Sequence, residues 1–366
     1  MQPAHFAASA YTGRVNLTAD DVADLGLGAV LLGSGGGGRT TAAERLLRRI
    51  LRTRGPLRVT AAADLPATDS VACVGAVGSS TVMVERLPGG EEFARAARFL
   101  ERHLARPLAA VQPLEIGGVN GLLGVAAAAW LDLPLVDGDA MGRAFPRLDQ
   151  TVLAGGPGPA VAALSDPTGN VVVLECRDDA SVERVVRAAL PALGTWAAVA
   201  LHHGDAGWYA QNSIAGSVSR ALTLGSLLRR AHDDPGRREE FLRAAGASVI
   251  FHGRVLQVLR DRAADHIGGT ASIQHAAEPA RTLRLEFANE YILALDDGLV
   301  TARVPDVICV LDARTWRAVA VEDIVAQQVV EVLRLPAPGE WTHPARRRQV
   351  DLESYGLAMI DQEPGG

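Results

Sequence analysis

Chemistry is concentrated in the segment Leu135-Val136-Asp137-Gly138-Asp139-Ala140-Met141-Gly142-Arg143-Ala144-Phe145-Pro146. It sets two carboxylates and one guanidinium at the end of a short apolar run, Leu133 to Val136. Such a run reads as a buried strand, and the Gly-rich charged segment after it as the loop at its carboxyl end. In open α/β sheets that edge is where ligands bind. On a continuing strand Asp137 and Asp139 would share a face. Two such carboxylates can share a proton, hold a cation or orient a water. The competing reading is a capped turn stiffened by an Asp–Arg pair.

Glu115-Ile116-Gly117-Gly118-Val119-Asn120 repeats that layout, with an acid at a strand end and glycines leading into a helix. Glu115 could act as base or ligand, and Asn120 could bind a carbonyl or amide; a turn with Asn capping the helix is the alternative. The run Gly33-Ser34-Gly35-Gly36-Gly37-Gly38-Arg39-Thr40 lets backbone N–H groups approach an anion. It superficially matches a Walker A loop, with Arg39 in place of lysine, and a GxGxxG pattern at Gly33, Gly35 and Gly38. Neither has the preceding strand it needs, so no nucleotide is expected and a substrate-cradling loop fits better. His202-His203-Gly204-Asp205 is the densest His/Asp cluster and a secondary place for a metal, although adjacent histidines often point apart. His252, His266 and His275 read as surface residues in loop-like sequence. No GxSxG elbow surrounds Ser34 or Ser79-Ser80, so a hydrolase triad has little support.

Composition narrows the field. The chain has 366 residues, 48% hydrophobic and 21% charged, enough for a packed core in two domains or one large one. Its formal net charge of −6 argues against nucleic-acid or anionic-membrane partners. All 36 basic residues are arginine, which removes Schiff-base, general-base and Walker lysines. Cys73, Cys176 and Cys309 are widely spaced and form no disulfide or CxxC pattern; Cys73 and Cys309 read as core residues. No apolar run reaches membrane-spanning length, and Met1 to Gly13 lacks a signal-peptide pattern, so the cytoplasm is expected. The expected partner is a small-molecule substrate, with a homo-oligomer compatible.

The elements that must position these residues alternate. Thr18 reads as the N-cap of a helix ending at Gly33, and a second helix spans Thr40 to Arg52. Val71–Val77, Leu108–Ile116 (interrupted by Pro113) and Leu133–Val136 read as strands, with helices over Glu91–Leu104 and Val119–Leu131. This order implies an α/β domain with a mainly parallel sheet. Beyond the break at Gly155-Gly156-Pro157-Gly158-Pro159, a strand at Val171–Leu174 and helices at Ser181–Leu190 and Gly216–Ala231 are expected. Arg281 to Val310 alternates, turning at Asp297-Gly298, and Val319–Leu335 adds short β-rich pieces. The reading is an α/β domain over 1–165 and a β-rich carboxy-terminal domain with some helices over 166–366.

Three blocks, Leu32 to Gly38, Glu115 to Asn120 and Asp137 to Pro146, resemble signatures of the S-methyl thiohydantoin desulfurase family, often associated with hydantoin utilisation. Phe287-Ala288-Asn289-Glu290-Tyr291, Val304 to Asp312 and Leu335-Pro336-Ala337-Pro338 resemble its second domain. The chain departs from the family pattern at Arg39 and Arg147, where acids are usual, and over His202 to Asn212. The resemblance implies the same two-domain fold and action on a hydantoin-like ring, with S-methyl replaced by oxygen and methanethiol released.

Such a hydrolysis needs an activated water and a proton for a ring nitrogen or the departing sulfur. Asp139 or Glu115 is the expected base, the other carboxyl staying protonated as acid, and Asp137 is the third catalytic candidate or orients Arg143. Gly35, Gly36, Gly37, Gly38, Asn120, Met141 and Arg143 are the expected substrate-binding set. A divalent metal on Glu115, Asp137 and Asp139 would serve the same chemistry, with His202, His203 and Asp205 a weaker metal set. The alternative function is a non-catalytic ligand-binding or assembly subunit of a hydantoinase-type system.

Overall fold

The structure is a computed structural model that describes residues 16–262 and 267–357. Met1 to Gly13 and His266 lie outside the described residues. The amino-terminal sheet contains β1 (Asn16–Leu17), β2 (Leu57–Thr60), β3 (Ser70–Gly78), β4 (Ala110–Pro113) and β5 (Leu135–Val136). After the short β6 (Gly138–Asp139), the chain returns to it with β7 (Ala160–Ser165), β8 (Val171–Cys176) and β9 (Trp196–Asp205). The spatial order is β1-β2-β5-β4-β3-β9-β7-β8. β2, β5, β4 and β3 are parallel neighbours, while β1, β9, β7 and β8 join by antiparallel pairing. β7 shares the direction of the parallel four, so the sheet is mixed and mostly parallel. It draws strands from both sides of residue 165.

Helices α1 (Val22–Leu32), α2 (Thr41–Arg54), α3 (Ser80–Glu85), α4 (Glu91–Leu104), α5 (Asn120–Leu131) and α6 (Asp179–Ala189) connect these strands. Next come α7 (Ala206–Asn212), β10 (Ile214–Ala215), α8 (Ser217–Asp233) and α9 (Arg238–Ala245). The residues dictate the layers. α4 carries Phe93, Ala96, Ala97 and Leu100 on one buried stripe and acids in its first turn, where Glu92 accepts the Gly89 and Gly90 N–H groups at 2.9 and 3.0 Å. α5 is almost entirely buried because its small, apolar sequence has no polar face to offer water. α1 is similarly apolar and is covered by α8. A Cβ on Gly28 would stand 1.9 Å from the Ala221 carbonyl oxygen, so the two helices cross only because that position is glycine.

The carboxy-terminal part is an antiparallel sheet curled into a half-barrel. It comprises β11 (Ser248–Arg262), β12 (Ile267–His275), β13 (Thr282–Ala288), β14 (Glu290–Asp296), β15 (Leu299–Arg303), β16 (Val307–Asp312) and β17 (Val329–Leu335). Their order is β15-β14-β13-β12-β11-β17-β16. A short helix, α10 (Pro344–Arg347), follows. The turn expected at Asp297-Gly298 joins β14 to β15 with φ of 45° and 85°, the paired positive values of a type I′ hairpin. Among the described residues no helix is long and apolar enough to cross a membrane.

Some local expectations shift. Thr18 does not cap α1. Asp21 occupies the cap position, and its carboxylate turns back to the Thr18 N–H and hydroxyl at 2.9 and 2.8 Å. β7 and β9 are unforeseen, because Ala-rich runs carry no periodicity that separates strand from helix. His252 and His275 stand on β11 and β12 rather than in loops, and His252 is exposed. Cys73 and Cys309 are buried free thiols, as expected.

Candidate functional site

Three loops far apart in sequence meet where helices α1 and α5 approach the ends of β4 and β5. Ala140 N–H donates to the Leu114 carbonyl at 3.1 Å, Ala144 N–H to Leu32 at 3.2 Å, and Val119 N–H to Gly37 at 2.7 Å. A Cβ on Gly118 would lie 2.4 Å from the Gly37 Cα, so these two glycines permit the contact between the first and second loops. The glycine run, the Glu115 segment and the Asp137 segment therefore form one neighbourhood.

Within it the two aspartates diverge. β6 pairs with β10 instead of continuing β5. Asp137 turns outward to the start of α8, accepting the Ser219 N–H at 3.0 Å and the Ser219 hydroxyl at 2.5 Å. It sits as an anion at a helix amino terminus, a stabilising role in itself. Asp139 points inward and is fully buried. Its Oδ2 accepts three backbone N–H groups, from Ile116 at 2.9 Å, Met141 at 3.1 Å and Gly142 at 2.7 Å. Burial pushes its pKa up to about 6, and the N–H groups hold it from rising further.

Glu115 lies beside it. Asn120 Nδ2 donates to Oε1 at 2.7 Å and Phe145 N–H to Oε2 at 3.1 Å. Burial, with a smaller push from the Asp139 charge, lifts Glu115 to about 7 against those two donors. Asn120 is fully committed: its amide also donates to the Ala76 carbonyl at 2.9 Å and accepts the Ala76 N–H at 2.6 Å. It fastens Glu115 to β3 and has no N–H left for a carbonyl ligand.

Arg143 is also fully buried, and its partners are backbone carbonyls rather than Asp137 or Asp139. It donates to Ala144 at 3.2 Å, Asp306 at 2.5 Å and Tyr291 at 3.1 Å, pinning the third loop to the carboxy-terminal sheet. Burial lowers its pKa from the usual guanidinium value. Met141 is core: its side chain is buried and its carbonyl accepts Trp341 Nε1 at 2.8 Å.

The sheet brings a residue that motif spacing did not single out. Glu290 opens β14, is 3% exposed, and its Oε2 has no hydrogen-bond partner among the described residues. Burial lifts its pKa to about 8; the nearby Arg143 charge opposes the shift, and Glu115 reinforces it. A Cβ on Gly36 would lie 2.6 Å from Glu290 Oε1, so the glycine run rests directly on this carboxyl. The available signal was an acid at the head of an otherwise apolar run, Glu290 before Tyr291 to Leu295.

The glycine run has donors to spare. Gly36 N–H is spent on the Gly33 carbonyl at 2.9 Å, whereas the N–H groups of Gly35, Gly37 and Gly38 make no hydrogen bond among the described residues. Ser34 locks the loop to the second sheet by donating to the Ile308 carbonyl at 2.9 Å and accepting the Ile308 N–H at 3.1 Å. A crevice lined by Gly38, Arg39, Ser80 and Val119 opens beside the run. Arg39 and Arg147 stay at the surface, paired with Asp323 at 2.7 Å and Asp149 at 2.6 Å.

Neither expected metal set assembles. Among the described residues no three His, Cys, Asp or Glu side chains are grouped to hold a metal. Asp137 faces Ser219, away from Glu115 and Asp139. His202 and His203 straddle a bulge in β9 and separate. His202 Nε2 meets Thr151 Oγ1 at 3.2 Å, His203 Nε2 meets Ser70 Oγ at 2.7 Å, and Asp205 pairs with Arg106 at 2.5 Å. The described residues do not fit a divalent metal.

Comparisons with known proteins agree with this fold. A family model described as S-Me-THD-like, N-terminal domain, matches residues 20–176, and one described as S-Me-THD-like, C-terminal domain, matches residues 177–364. A crystal structure of a protein from Chromobacterium violaceum matches with a TM-score of 0.78 at 23% identity, covering 95% of this chain and 98% of that one. No curated protein matches the sequence.

Proposed function

The chain belongs to the S-Me-THD-like family, and on that premise we propose that it hydrolyses an S-methyl thiohydantoin-like ring. Water adds to the ring carbon that carries S-methyl. The C–S bond then breaks, the C=N carbon becomes a C=O carbon beside an N–H, and methanethiol leaves. The observation that carries the reading is the pair of buried carboxyls Glu115 and Glu290, raised to about 7 and about 8, beside unspent N–H groups of the glycine run. Two coupled acids so shifted share one proton near neutrality.

Glu115, the lower of the two and held by Asn120 and Phe145, is the base that takes a proton from the attacking water. Glu290, with its free Oε2, is the acid that protonates the departing sulfur. The N–H groups of Gly35, Gly37 and Gly38 are donors for a ring oxygen or for charge developing on the adduct. Asp139 acts through Glu115, since its negative charge holds the Glu115 pKa up. Arg143 and Asn120 position the loops and do not clamp the substrate.

The test is methanethiol release from an S-methyl thiohydantoin by the purified chain, with Glu115→Gln and Glu290→Gln alongside. Turnover by the native chain that falls by roughly a hundredfold or more in each variant supports the assignment. Binding of the ring without methanethiol release by the native chain overturns it in favour of a non-catalytic ligand-binding subunit.

A further inference from the structure

Asp306, whose carbonyl holds Arg143, also lines a second hollow. Where the carboxy-terminal half-barrel fails to close, a depression of about 320 Å³ is lined by Arg303, Asp306, Arg334 and Arg347, with the edge strand β15 as one wall. Arg303 ends β15, Arg334 stands on β17 opposite Ile308, and Arg347 ends α10. Three segments thus each bring an arginine to the lining of one hollow, in a chain whose net charge is −6.

The charges there do not cancel. Asp306 is the single acid in the lining, and both its oxygens are used: Arg334 Nε donates to Oδ2 at 2.6 Å and Ala337 N–H to Oδ1 at 2.9 Å. The side chains of Arg303 and Arg347 have no hydrogen-bond or ion-pair partner among the described residues. Like charges gathered around a hollow repel one another unless an anion sits between them. Guanidinium forks match carboxylate and phosphate oxygens two at a time.

We propose that this depression binds a small organic polyanion, one carrying at least two carboxylate or phosphoryl charges, between Arg303, Arg334 and Arg347. The volume exceeds what a water or chloride needs and suits a compact metabolite. The ligand would also brace Asp306, whose carbonyl accepts Arg143 Nη1 at 2.5 Å, and so stiffen the junction between the sheet and the Asp139 loop.

Citrate and pyrophosphate, titrated calorimetrically into the full chain at fixed ionic strength, serve as probes. Saturable binding at one site per chain is expected for at least one of them. A preference for pyrophosphate assigns a phosphoryl ligand, and a preference for citrate a carboxylate. Arg303→Ala and Arg347→Ala should each weaken that binding roughly tenfold or more. Arg49→Ala, at an exposed arginine on α2, should leave it unchanged. The variants remove half-buried side chains that have no partner among the described residues, so their melting temperatures without probe should stay close to the native value. Absence of saturable heat with both probes in the millimolar range, or native affinity in both variants, overturns the proposal.

Discussion

The Ile116 N–H donates to Asp139 Oδ2 at 2.9 Å, so one carboxylate oxygen ties the second loop to the third. The same oxygen also collects the Met141 and Gly142 N–H groups. Asp139 is thereby the anchor of the loop that follows β5, and its charge reaches Glu115.

Asp139→Asn therefore separates anchoring from charge. The amide oxygen can still accept all three N–H groups, so the fold should persist. Loss of the negative charge removes the neighbouring carboxylate that helps hold the Glu115 pKa up. The acid limb of the kcat/KM pH profile should move to lower pH, while Asp139→Ala, which strands three buried donors, should cost several kcal/mol of stability. An unmoved acid limb in a folded Asp139→Asn protein would separate Asp139 from the chemistry.

Stability should depend on pH through Glu290. Its folded pKa of about 8 lies above the ordinary glutamate value of 4.5, so the native state binds the proton more tightly than the unfolded chain. The associated stabilisation is complete below the unfolded pKa and is lost as pH rises through the folded one. Melting temperature should fall over that window, from about 4.5 to about 8, and Glu290→Gln should flatten the decline. Thermal melts of the two proteins across the window check this.

Activity should follow a bell. If Glu115 must be ionised and Glu290 protonated, kcat/KM should peak between the macroscopic values of the pair, near about 7 and about 8. A flat profile through this range would dissociate both groups from the rate.

Arg143→Lys should act on stability. Its guanidinium bridges the carbonyls of Asp306 and Tyr291, and an ammonium point charge cannot span both. Losing one or two bonds of this charged kind should cost roughly 2–5 kcal/mol. Substrate affinity of the folded fraction should be close to native. A variant with native melting and weakened affinity would restore the substrate-clamp role.

Gly118→Ala should disrupt the meeting of the loops. Its φ of +64° disfavours a side chain, and the new Cβ would stand 2.4 Å from the Gly37 Cα. The combined strain should reach about 3 kcal/mol or more. Gly155→Ala, at φ +74° with nothing within 4 Å, should cost only roughly 1–2 kcal/mol. Chemical denaturation of both variants measures the difference.

Much of the fold was legible because local patterns carry it. Amphipathic spacing marked α4 over Glu91–Leu104, and Asp297-Gly298 marked the β14–β15 hairpin, since few other residue pairs tolerate two positive φ values. The long β11–β12 pairing was not legible, because strand pairing depends on a distant partner as much as on the strand's own residues. The Gly, Glu and Asp blocks could be named from their spacing, and glycine's small size is what lets their loops touch.

Which carboxyls hold shifted pKa values was settled by three-dimensional packing. Spacing along the chain placed Asp137 and Asp139 on one face. The pairing of β6 with β10 turned Asp137 toward α8 and left Asp139 inside. Glu290 reaches Glu115 and Arg143 only because the carboxy-terminal sheet folds back onto the glycine run. Desolvation and charge proximity are properties of surroundings in space, so residue types could nominate these acids but could not say which are buried or which share a proton.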